Sequence, residues 1–107
     1  ENIIKLNLRG KIFITTLQTL TKRENMFKIM LGSQFGIDKD ENGYILIDRD
    51  PDYFPIILEH LRTGSTTHIG IWEDVNESSL EQLTNLLEES DFFGTDKLTS
   101  KVKDLIT

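Results

Sequence analysis

The stretch Asn2–Thr16, NIIKLNLRGKIFITT, constrains the fold more than any other part of the chain. Ile4, Leu6 and Leu8 alternate with Lys5 and Asn7, the period-two signature of a strand with one face against a core. A second apolar run, Ile12–Phe13–Ile14, follows directly after Arg9-Gly10. Two such runs joined by a short glycine turn predict a β-hairpin. Of the two turn residues only Gly10 takes positive φ cheaply, so a type II or bulged turn suits Arg9 better than type I′.

The segments that follow are mostly helical. Thr16 is placed to cap a turn carrying Leu17 and Leu20, and Asn25 to cap MFKIML before Gly32 stops it. YILI, residues 44–47, is a short strand. Asp50-Pro51 is a cap-then-proline start, but Pro55 disfavours a continuous helix from there, because its ring clashes with the carbonyl four residues back. A tight turn over 50–54 and a helix from Pro55 to Gly64 are expected, burying Ile57, Leu58 and Leu61 with Phe54 just ahead. Residues 65–77 read as a loop pinned by Ile71 and Trp72. Ser78 and Glu81 form a capping box for a helix repeating at Leu80, Leu83 and Leu87. After DFFG, a last helix repeats at Leu98, Val102, Leu105 and Ile106. The order of hairpin, helices, strand and more helices defines an α+β chain.

One motif invites a different reading. DKDENG, from Asp38, begins as an EF-hand calcium loop does, but position 9 of that loop would be Leu46 and position 12 Arg49. A guanidinium in place of the bidentate carboxylate removes two ligands and sets a cation beside the ion. Turn chemistry accounts for the Asp, Asn and Gly residues without a metal. Two histidines, His60 and His68, are too few for a zinc site without cysteine. No metal or cofactor is expected.

The formal charge is −6, and it is unevenly spread. Acidic and basic residues balance over 1–62. From there to Lys97 no Lys or Arg occurs, while Glu73, Asp74, Glu77, Glu81, Glu88, Glu89, Asp91 and Asp96 accumulate. Such a surface does not suit nucleic acid, which requires a basic face. It reads as a solvated acidic helix face or an electrostatic docking surface. No apolar run approaches the roughly 20 residues of a membrane span, so direct membrane contact is not expected. The absence of cysteine fits a reducing, cytoplasmic setting. No nucleophile elbow, phosphate loop or HExxH motif is present, and no enzymatic activity is expected. At 107 residues the chain is expected to be one domain, 1–107, cut from a longer protein.

Taken together and in order, LNLRGKIFITTLQTL, MFKIMLG, YILIDRDPDYFPIILEHLRTG and LLEESDFFG resemble the T1-type BTB/POZ domain of the potassium-channel tetramerisation-domain-containing (KCTD-like) family. The resemblance covers nearly the whole chain, and IDRDP..F..IL..LRTG is its specific part. It implies a BTB fold, a small three-stranded sheet with helices around it, and a non-enzymatic task of homo-oligomeric assembly as a tetramer or pentamer. It also places Asp48, Arg49 and Asp50 at or near the subunit contact, although Asp50 also suits a helix cap and Asp48 and Arg49 also suit a solvated surface. Some members are cytoplasmic tetramerisation domains of voltage-gated potassium channels; others are substrate adaptors for cullin-3 ubiquitin ligases. Channel T1 domains carry Arg-Phe-Glu-Thr on the second strand, where this chain has Ile12-Phe13-Ile14-Thr15, and many use an intersubunit His/Cys zinc site. Both departures favour the adaptor group. If a cullin binds, the resemblance implies contacts from the loop after MFKIMLG and from the later helix-connecting loops, with Phe35 as anchor, although Phe35 also suits the core. Arg9 stands where the family usually has the first of two glycines.

Overall fold

A computed structural model describes residues 2–33, 36–67 and 77–107. The candidates Phe35, His68, Ile71 and Trp72 lie outside the described residues. Three strands form one sheet: β1 (Ile3–Leu8), β2 (Lys11–Thr16) and β3 (Ile45–Ile47), in the order β2-β1-β3. Among the described residues five helices accompany the sheet: α1 (Leu17–Thr21), α2 (Met26–Ser33), α3 (Phe54–Thr63), α4 (Glu77–Phe92) and α5 (Asp96–Ile106). The α+β class and the small three-stranded sheet are as expected.

The hairpin pairs Leu8 with Lys11, which leaves Arg9-Gly10 as a two-residue loop. Both loop residues have positive φ, 51° for Arg9 and 95° for Gly10. The turn is therefore of the I′ kind, not the type II or bulged turn expected from Arg9. Two-residue connections need the primed twist to match the strands, and this requirement outweighs the left-handed cost at Arg9. Two side chains hold the turn: Asn7 Oδ1 accepts from the Gly10 amide at 2.7 Å, and Arg9 Nε donates to Asp48 Oδ1 at 2.8 Å. β3 runs parallel to β1, with Leu6 opposite Ile45 and Leu8 opposite Ile47.

Alternation divides the sheet into two unlike faces. Leu6, Leu8, Ile45 and Ile47 are buried against the helices, with Ile4 and Phe13 packed beside them. Four phenylalanines tie this layer together. Phe54 lies with its ring centroid 5.0 Å from Phe13 and 5.2 Å from Phe93, and Phe93 stacks on Phe27 at 5.4 Å. One residue each from β2, α2 and α3, and one just beyond α4, thus meet at a single point. Each contact of this kind contributes about 0.5–1.5 kcal/mol beyond area burial.

The helix ends follow the expected chemistry, with three shifts. Thr16 Oγ1 accepts from the Thr19 amide, and Asn25 Oδ1 accepts from the amides of Phe27 and Lys28. Asp50 Oδ1 accepts from the Asp52 amide in the turn before α3, whose own N-cap, Tyr53, makes no side-chain cap bond. Gly64 ends α3 with φ 76°, its amide bonded to the His60 carbonyl. The first shift is at Gly32, which lies inside α2 and does not stop it. The second is that α4 begins at Glu77, so Ser78 sits in its first turn and not ahead of it. The third is its buried stripe, which runs through Leu83 and Leu86 with Leu87 at the margin, while Leu80 is exposed.

Candidate interaction surface

The other face of the sheet carries the residues of opposite parity. They are Ile3 and Lys5 on β1, Ile12 and Ile14 on β2, and Leu46 on β3, with Asn7 at the centre. The four apolar side chains are exposed, by 57% at Ile3, 41% at Ile12, 60% at Ile14 and 43% at Leu46. Scattered exposed aliphatics are ordinary on a monomer, whereas four gathered on one side of one small sheet, around Lys5 and Asn7, mark a candidate interaction surface. Alongside Ile3–Lys5, beyond the reach of β3 pairing, the sheet gives way to a groove of about 780 Å³ lined by Ile3, Ile4, Tyr44 and Ile45 among others.

The polar groups of this face are tied down, with one exception. Asn7 Nδ2 donates to Asp40 Oδ2 at 2.8 Å. The same Asp40 carboxylate accepts the amides of Asn42 and Tyr44. Its hydrogen bond from Asn7 is the largest influence holding its pKa below the ordinary carboxylate value, and these amides add to the effect against the cost of burial. In this way the Asp38–Gly43 motif acts as turn chemistry that fixes the entry to β3. Arg9 and Asp48 neutralise each other at the hairpin end, and the hydrogen bond that Arg9 donates to Asp48 keeps the Arg9 pKa above its usual value. Lys5 is the exception: its ammonium lies 5.2 Å from the Tyr44 ring centroid and meets no carboxylate among the described residues.

The structure separates the three candidates of the Asp48–Asp50 triplet. Asp48 lies at the rim of the outer face, paired with Arg9. Arg49 turns the other way, toward α4, where Nε and Nη2 donate to the two carboxylate oxygens of Glu89 at 3.1 and 2.8 Å. Its guanidinium also lies 4.3 Å from the Phe92 ring centroid. Asp50 caps the turn before α3. Sequence reasoning did not single out Ile3, Ile12, Ile14 and Leu46 as a surface. The available signal was that residues 12–14 and 44–47 are apolar at both parities, which a sheet covered on one side cannot bury.

Taken by itself, this geometry defines a class: a small α+β domain with one sheet face shielded by helices and the other left apolar and open, as suits assembly or docking. Comparison with known proteins makes this specific. The chain belongs to the BTB/POZ domain family, whose profile matches residues 4–102, and domains of this family mediate homo-oligomerisation and protein interaction. Within the family its similarity is to KCTD proteins. It is 37% identical over 106 residues to human BTB/POZ domain-containing protein KCTD5, covering 96% of this chain and 42% of that protein. It is 36% identical over 103 residues to human KCTD17, covering 94% and 30%. Bovine SH3KBP1-binding protein 1 is 35% identical over 102 residues, covering 94% and 13%. The chain therefore spans less than half the length of these relatives. No helix among the described residues is long and apolar enough to cross a membrane.

Proposed function

We propose that residues 1–107 are a cytoplasmic, non-enzymatic homo-oligomerisation domain that closes a head-to-tail ring of four or five copies. The observation that carries this reading is the outer sheet face, where Ile3, Ile12, Ile14 and Leu46 are left in water. Covering them gains about 25 cal/mol for each Å² of apolar surface removed. In a cyclic assembly two different patches of each copy meet, and no open edge remains. Asp48, at the rim of this face, belongs to the contact with its partner Arg9. Arg49 and Asp50 act from behind it, by fixing the chain that leaves β3. The ring presents the rest of a longer protein in several copies, as a substrate adaptor for a cullin-3 ubiquitin ligase requires. Ile12 and Ile14, where channel T1 domains carry Arg and Glu, support this reading over a channel tetramerisation domain.

The test is Ile14→Asp, which places a carboxylate among the exposed aliphatics of this face. Light scattering at tens of micromolar is expected to give an oligomer for the unmodified domain and a monomer for the variant, with an unchanged circular dichroism spectrum. An oligomer that survives Ile14→Asp contradicts the sheet-face contact.

A further inference from the structure

Lys5 stands on the central strand of the outer face, opposite Ile14 and between Ile3 and Asn7, and it has no anionic partner among the described residues. The other charges of the face are matched: Asp48 by Arg9, and Asp40 by Asn7 and the loop amides. A surface that covers these aliphatics also strips water from the Lys5 ammonium, which is costly unless the incoming surface brings an opposite charge. The covering surface therefore carries both carboxylates and exposed apolar side chains.

One helix of this chain has that combination. On α4 six exposed residues, Leu80, Glu81, Thr84, Glu88, Asp91 and Phe92, share a stripe about 120° wide at 100° per residue, with exposed Ser78 and Gln82 beyond its Phe92 edge. Leu80 and Phe92 are 39% and 44% exposed and bound the stripe at its two edges. Glu81, Glu88 and Asp91 between them have no ion-pair partner among the described residues. The opposite side of α4 is committed to the core through Leu83 and Leu86, and Glu89 is committed to Arg49.

We infer that the α4 stripe of one copy is the surface that covers the sheet face of the next, with Lys5 paired to its carboxylates. This rests on the ring proposed above and names its second face. Sheet against α4 is a heterologous contact, the kind that closes a ring. Unlike charges set opposite each other also fix the register and reject a copy docked sheet to sheet, which would bring two Lys5 ammonium groups together.

The experiment uses charge reversal at exposed positions, with sedimentation equilibrium as the readout and circular dichroism as the check on folding. Lys5→Glu alone, and Glu81→Lys with Glu88→Lys, are each expected to weaken assembly on the order of tenfold or more. All three reversals in one chain restore opposite charges across the contact and are expected to recover most of the loss. Recovery is the decisive outcome, because a merely structural role for either site does not produce it. Should the α4 reversals leave assembly unchanged while Ile14→Asp abolishes it, the ring stands and the α4 assignment is overturned. Should the unmodified domain be a monomer, the ring itself fails, and this inference with it.

Discussion

Replacing Gly64 with Ala tests how the end of α3 is held against the α1–α2 segment. Gly64 has φ 76°, a conformation that costs an L-residue roughly 1–2 kcal/mol. An added Cβ would also lie 2.6–2.9 Å from Nη2, Nε and Cζ of Arg23. Those atoms are the end of a flexible side chain, so the contact is relieved by movement and not by backbone strain. The movement has a consequence, because Arg23 Nη1 donates to the Leu61 carbonyl at 2.8 Å, one of the last acceptors of α3. A hydrogen bond from a charged donor is worth about 1.5–3 kcal/mol. The group is only partly buried, and water recovers some of that, which leaves about 1 kcal/mol. The expected cost of Gly64→Ala is therefore about 2–3 kcal/mol, a fall in Tm on the order of 10 °C for a domain of this size. Urea unfolding followed by circular dichroism measures it, at one fixed protein concentration because assembly adds apparent stability. In an Arg23→Ala background only the backbone part remains, about 1–2 kcal/mol. A cost below about 0.5 kcal/mol, or an identical cost in both backgrounds, refutes the reasoning.

Arg49→Met leaves the Glu89 carboxylate, whose side chain is 9% exposed, without its partner and is expected to cost about 2–4 kcal/mol; adding Glu89→Leu should restore most of that in the same denaturation assay. Arg49→Glu is thus a folding perturbation as much as an interface one, and Asp48→Lys is the cleaner probe of the rim. For Asp40 the folded pKa lies below the ordinary value, so its stabilisation is complete above about pH 4 and is lost as pH falls through the lowered pKa. The Tm gap between the unmodified domain and Asp40→Asn should accordingly be constant near neutrality and shrink on acidification below about pH 4. Purified cullin-3 amino-terminal domain is expected to be retained by the immobilised ring at tens of micromolar, and no retention removes the ligase role. Calorimetric titration with calcium is expected to show no sub-millimolar binding, because Asp40 is committed to Asn7 and the loop amides and Arg49 stands where the bidentate carboxylate is required.

The parts of this fold legible in the sequence were those governed by local rules. The hairpin followed from the alternation of Ile4, Leu6 and Leu8, and the caps at Thr16 and Asn25 from a hydroxyl and an amide placed just before apolar runs. The end of α3 followed from Gly64. Local rules failed where distant partners decide. Arg9 accepts a left-handed φ because the strand pairing demands a primed turn and Asp48, 39 residues away, holds its side chain. Leu80 satisfies the helical repeat of α4 but faces water, because α5 and the core occupy the side defined by Leu83 and Leu86. The sequence suits Arg49 to a subunit contact or a solvated surface, and shows Glu89, its partner 40 residues on, only as part of an acidic run. The family resemblance points to the triplet at 48–50 as a candidate contact, whereas the face beside it needs the sheet register before its four aliphatics are seen to share one side.

The central claim is that the outer sheet face is covered by another copy of the same chain. Native mass spectrometry of the unmodified domain at tens of micromolar tests it most directly. A single species at four or five times the 12.3 kDa subunit mass is expected, and a lone peak at the subunit mass under those conditions contradicts assembly.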